Sequence, residues 1–293
     1  MSDPFDPRIC ALGEGALWHP GRGALFWFDV TGRRLLSRLP ETGETGEWAL
    51  PEICSAAAWI DRDRLLIASE TGLSVFDIPA GRCTQRLADL EADRPETRSN
   101  DGRADPWGGF WIGTMAKDAA PGAGAIHRLF EGRLRPVVAG LTIPNALCFA
   151  PDRTRGYFAD TARGLLFRVA LDAQGWPAAA PEVFVDFAAA GLWPDGAVTL
   201  ADGTLRIALW GAGAVLTVSA SGEIGARDLL PAPHVTCPAY GGPDFRTLFC
   251  TSATQELSPG ALAAAPLSGA TFCRTDGLQG RPEPAFRLHG DLR

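Results

Sequence analysis

Three features of the sequence predict an all-β protein, a six-bladed β-propeller with four-stranded antiparallel blades around a central channel. Short β-forming runs sit between Gly, Asp and Pro turns, one turn-and-strand signal recurs six times, and long amphipathic helices are missing. The expected unit is a single domain over residues 1–293.

The runs follow in chain order. ALFWFDV, RLLIAS, GGFWIGTM, RGYFADT, TLRIALW and RTLFCTS are each rich in aromatic or aliphatic residues and bounded by turn formers. A second strand-like stretch follows in most copies: GLSVFDI, GAIHRLF, GLLFRVAL and GAVLTVSA. The best helical window is short and Ala-rich, from Ser258 to Ala265. Ring closure is expected from a first strand around Arg8 to Leu12 pairing with the last blade near Pro284 to Leu288.

The copies align on the turn before the aromatic strand. Pro20, Pro106, Pro151 and Pro243 share one position, which Asp61 and Ala201 fill in the other two. Successive spacings are 41, 45, 45, 50 and 42 residues. Six residues ahead of these anchors stand Glu14, Ser55, Asn100, Asn145, Asp195 and Cys237. In a propeller the innermost strands surround the channel, so equivalent positions converge on one end of it. Residues far apart in the chain are thereby expected to meet in one pocket.

Composition limits what such a pocket serves. The chain of 293 residues is 46% hydrophobic and 21% charged, with a formal charge of −7 and pI near 5.2. That balance argues against nucleic acid and anionic membrane as partners. No apolar run is long enough to span a bilayer, and MSDPFDPRIC lacks the pattern of a secretory signal. Seven scattered cysteines without a CxxC read as free thiols in a reducing cytoplasm, and the expected location is cytoplasmic. The four histidines are too dispersed for a metal cluster.

Glu14, Asn145 and Asp195 offer two carboxylates and an amide carbonyl. Oxygen donors suit hard divalent cations such as calcium, magnesium or manganese. Three protein ligands would leave positions open for water or substrate. The segment ETRSNDGRADPWGGFWIGTMAKD brings Arg98 and Asn100, whose guanidinium and amide suit sugar hydroxyls or a carbonyl oxygen. Asp101 beside them is a ligand, a base or a plain turn residue. Asp118 follows on a connecting loop. Ser55 has no nucleophile motif around it, and Cys237 reads as a buried filler or a reactive thiol. Of the tryptophans that flank the phased positions, Trp193 is the candidate wall of a sugar-sized pocket.

Four motifs in order, LGEGALWHP, RSNDGRADPWGGFWIGTM, IPNALCFAPD and WPDGAV followed by ALWG, resemble the gluconolactonase/regucalcin (senescence marker protein) family of six-bladed propellers. The resemblance implies one divalent metal held by Glu14, Asn145 and Asp195. Calcium is the first candidate, with zinc, manganese, magnesium or iron as alternatives. It also implies substrate contacts from Arg98 and Asn100, with Asp101 nearby, and from Asp118, which stands where other members carry Glu. The implied activity is hydrolysis of an aldonolactone, a pentono- or hexonolactone, to the aldonic acid. Asp195 is expected to be both ligand and general base, and the sugar lactone to be the partner of a monomer or weak oligomer. A calcium-handling protein without turnover and an aryl- or phosphoester hydrolase are the competing functions of such a site.

Overall fold

A computed structural model describes residues 4–289, and their strands form six antiparallel sheets. In the first blade the strands are Gly13–His19, Ala24–Asp29, Arg34–Arg38 and Thr45–Ala49, paired in sequence order. The first strands of the later blades are Cys54–Trp59, Thr97–Ala104, Pro144–Phe149, Trp193–Thr199 and His234–Gly241. Each first strand touches those of the blades on either side, which closes the ring.

The burial pattern explains why the second strands are so easy to see in the sequence. Ala24–Asp29 and Phe110–Ala116 are buried along their whole length, because a propeller blade is covered on both faces by its neighbours. Such strands read as continuous apolar runs rather than alternating ones. The fourth strands, Thr45–Ala49, Arg82–Asp89 and Ile224–Leu229, lie at the rim and are largely exposed. Between blades the core is aliphatic and aromatic, with Trp27, Trp111, Phe158 and Phe249 almost inaccessible to solvent.

Five sheets have four strands. The sixth has three, and an antiparallel bridge from Asp6 to Thr271 adds the N-terminal segment to it. Further along that segment Cys10 N donates to Gly269 O, and Leu12 bridges Ala253. The expected pairing of Arg8–Leu12 with 284–288 does not occur, although the ring is closed at the last blade. Residues 279–288 instead cross the far end of the channel. Ala201 N donates to Gln279 O, Arg281 Nη2 to Phe149 O, and Phe286 N to Trp59 O. Phe286 and Leu288 are apolar and pack among Ala58, Leu66 and Phe110, so burial holds the tail where no sheet edge is free. The short helix Pro259–Ala264 lies in the expected window, capped by Ser258. All seven cysteines are unpaired. No helix among the described residues is long and apolar enough to cross a membrane.

Each first strand also carries one break in register. The slips fall between Glu14 and Leu17, Cys54 and Ala56, Asn145 and Cys148, Pro194 and Ala197, and Val235 and Pro238. In the third blade the slip faces Ile112–Thr114, at Asn100–Asp101. A bulge adds a residue, bends the strand and re-aims side chains. The six phased positions therefore sit at or beside six bulges.

The anchor turns are held by their acids. Asp105 Oδ1 accepts from Trp107 N and Gly109 N, both at 2.9 Å. Its Oδ2 accepts from Arg128 Nε at 2.7 Å, and both side chains are wholly buried. The guanidinium also lies over Phe130 and Trp176, at 4.2 and 4.5 Å. Removing one member of such a pair strands the other's charge. Asp105→Ala is expected to lower unfolding stability by about 3–5 kcal/mol in urea titration; an unchanged midpoint would show the pair to be dispensable.

Candidate active site

A cavity of about 400 Å³ opens at one end of the channel. Glu14, Arg98, Asn100, Asp118, Asn145 and Asp195 all line it. Six of the seven residues singled out from sequence are thus brought together, from blades one, three, four and five.

Local backbone explains how Glu14 is presented. Gly15 has φ of 60°, and a Cβ there would collide with the carbonyl of Ser55 in the next blade. Only glycine meets both demands without strain. A Cβ on Gly13 would likewise meet Ser252 O at 2.5 Å. In the fourth blade Ala146, just after Asn145, adopts the same left-handed conformation with φ of 55°. For a residue with a Cβ this costs about 1–2 kcal/mol, which the surrounding sheet must over-determine.

The acids sit in a poor environment for charge. Glu14 and Asp195 are within hydrogen-bonding reach of one another, and Glu14 Oε2 accepts from Gly15 N at 3.1 Å. Burial pushes both carboxyls well above the usual carboxylate range, and the neighbouring acids push them further. Arg98 opposes this from across the site but does not ion-pair with either. Two oxygen-rich acids and the Asn145 carbonyl at one cavity floor fit a hard divalent cation, which would compensate the charge that the protein leaves unbalanced.

A chain of hydrogen bonds runs along the same floor. Arg98 Nη1 donates to Ser99 O and to Asn100 Oδ1, both at 2.8 Å. Asn100 Nδ2 donates to Pro144 O and Asn145 Oδ1, both at 3.0 Å. Asn145 Nδ2 in turn donates to Thr161 Oγ1 at 2.8 Å.

The remaining candidates separate from the pocket. Asp101 does not line it. Its Oδ2 accepts from Leu147 N at 2.8 Å, and it faces an enclosed void of about 10 Å³, deeper in the channel, with Arg103, Cys237 and Glu283. Such a void has room for about one water. Asp101, expected to contact substrate, is thus buried inside the channel and stands apart from the residues that line the cavity. Arg103 is balanced by Glu283 at 2.5 Å and donates to Leu147 O. Cys237 is buried and its thiol is pushed well up by desolvation, so it is not a thiolate nucleophile. Ser55 Oγ donates to Asn100 O at 2.6 Å and has no histidine partner. Asp118 is exposed on the rim, with Oδ1 accepting from Ala120 N.

Several pocket residues were not picked out as site residues from sequence. Trp193 is 39% exposed and outside the lining, whereas Trp210, opposite it in the sheet register, lines the wall. Trp210 stacks on His234 at 3.9 Å between centroids, and burial lowers the His234 pKa so that the ring is neutral. Lys117, Thr161, Gln255 and Glu256 complete the polar lining. Lys117 pairs with Glu70 at 2.6 Å. Lys117, Thr161 and Trp210 all stand at or just past the end of a second strand, nine to eleven residues beyond the turn anchors. That second phase is the signal that locates them.

Fold and site together define a class: a closed six-bladed propeller with an acidic pocket at one end of its channel. The chain belongs to the family described as SMP-30/Gluconolactonase/LRE-like region, whose model matches residues 12–254. It is 33% identical to a 6-deoxy-6-sulfogluconolactonase of Pseudomonas putida, over 94% of each chain. Identity to a pentonolactonase of Haloferax volcanii is 34%, again over 94% of each. A crystal structure of a calcium-binding protein, regucalcin, from Agrobacterium tumefaciens superposes with a TM-score of 0.95 at 40% identity, covering 97% of each chain.

The raised carboxyl pKa values carry a sign. In the unfolded chain both acids ionise near pH 4, whereas in the fold they hold their protons to higher pH. Their contribution to stability is complete below the unfolded pKa and is lost as pH rises through the folded values. With chelator present, the melting temperature is expected to fall from about pH 5 to about pH 8, and Glu14→Gln to flatten that fall. Equal slopes for the two proteins would contradict the assignment.

Proposed function

We propose that the protein hydrolyses a sugar lactone to its aldonic acid, using one divalent cation held by Glu14, Asn145 and Asp195. The observation that carries this reading is the convergence of those oxygen donors in an open pocket beside the linked Arg98 and Asn100. The sugar lactones named for the relatives supply the substrate class.

Hydrolysis adds water to the lactone carbonyl, passes through a tetrahedral oxyanion and breaks the ring C–O bond. A bound divalent ion supplies Lewis acidity towards the carbonyl oxygen and makes a nearby water more acidic. Asp195 is the general base in this reading, since its carboxylate has one oxygen for the cation and a second that can take a proton from water. Arg98 has Nη1 engaged with Ser99 and Asn100, which fixes the guanidinium plane and turns its remaining donors to the ring hydroxyls or the oxyanion. Asp118 offers its second carboxylate oxygen at the rim. Trp210, braced by His234, presents an indole to the wall, a surface suited to the C–H face of a sugar ring. The oxygen-only donor set favours calcium, with magnesium and manganese next.

A panel of xylono-, arabino-, galactono- and gluconolactone in a pH-stat tests the proposal. Chelator should abolish turnover and added metal restore it. Asp195→Asn should lower kcat by about 100-fold or more. Unchanged turnover in both experiments would overturn the mechanism. Metal uptake with no lactone hydrolysed would favour a binding protein, the reading that the calcium-binding Agrobacterium relative keeps open.

A further inference from the structure

Asn145 is useful to a cation only through its carbonyl oxygen, and an amide that flips presents its NH₂ instead. Two chains of hydrogen bonds, one from each side, determine which way it lies. On one side the logic starts at Arg98, which has donors only, so the Asn100 atom facing it is Oδ1. Asn100 Nδ2 then faces Asn145, whose facing atom must accept and is Oδ1.

On the other side it starts at Pro194 O, which can only accept. Thr161 Oγ1 lies 2.6 Å from it and commits its single proton there. Towards Asn145, at 2.8 Å, the same hydroxyl can only accept, so the facing atom must be Nδ2. Both routes give the same orientation. Thr161 is itself anchored: its N–H donates to Ile143 O at 3.0 Å. The preceding Asp160, fully buried, accepts from Thr142 N and Ile143 N at 3.1 Å. Its hydroxyl therefore stands at a fixed point between Asn145 of the fourth blade and Pro194, the neighbour of Asp195, in the fifth.

We infer that Thr161 is a positioning residue, whose hydroxyl locks the Asn145 amide with its carbonyl presented to the cation and ties that ligand to the strand carrying Asp195. The inference rests on the metal reading above. Thr161→Val keeps the shape of the side chain and deletes the hydroxyl; Thr161→Ser keeps the hydroxyl.

Calcium and manganese titrations by calorimetry, on wild type and both variants, provide the test. Loss of such a support is expected to weaken metal affinity about 10–100-fold in Thr161→Val, and Thr161→Ser to stay within about threefold of wild type. Circular dichroism in chelator checks that Thr161→Val is folded; if it is not, Thr161→Ala takes its place with the same expectation. Wild-type affinity in a folded variant lacking the hydroxyl overturns the inference while leaving the metal reading intact. A wild type that takes up neither ion overturns both. The readout is binding alone, so failure of lactone hydrolysis would not disturb it.

Discussion

Two carboxyl groups held together in one pocket, largely removed from solvent, are the constraint on which the site depends. Glu14 comes from the first blade and Asp195 from the fifth, and nothing in either strand alone brings them within reach of each other. The closed ring does so, and the bulges in the first strands turn the side chains to one end of the channel. An isolated pair of this kind opposes folding unless protons or a cation neutralise it. Among the described residues neither acid has an ion-pair partner, whereas Arg103 pairs with Glu283 and Arg128 with Asp105.

The rest of the channel acts as a support. At the opposite end the C-terminal segment seals the opening with Phe286 and Leu288 and delivers Glu283 to Arg103. Asp101, one strand position beyond the pocket, holds Leu147 N of the fourth blade, so the third and fourth blades are joined beneath the site. At the level of the site itself, the bonds from Arg98 through Asn100 and Asn145 to Thr161 and Pro194 join blades three, four and five. Rigidity on both levels suits the proposed cation site, whose oxygen donors would have to stay apart without a collapse of the pocket.

The fold was legible because second strands buried on both faces leave unbroken apolar runs, and because one turn anchors each blade. The phase six residues ahead of that anchor picked out Glu14, Asn145 and Asp195, since all three ride on equivalent bulges. Asp101 stands one residue off that phase, and it does not line the pocket. It lies in the bulge beside Asn100, where the regular alternation of side chains is broken, and it reaches Leu147 N deeper in the channel. Trp193 and Trp210 show the converse: they are register partners, yet only Trp210 lines the wall. Gln255 and Glu256 lie on the loop after a strand, where spacing carries no face information. The tail escaped because its docking is apolar packing against distant blades rather than strand pairing.

The proposed divalent ion at Glu14, Asn145 and Asp195 would unite the raised acids, the fixed amide and the linked Arg98. Anomalous diffraction from crystals of the protein grown with manganese examines that point directly. One strong peak bounded by those three side chains is the expected result; no peak there, with ions bound at other carboxylates, would contradict it.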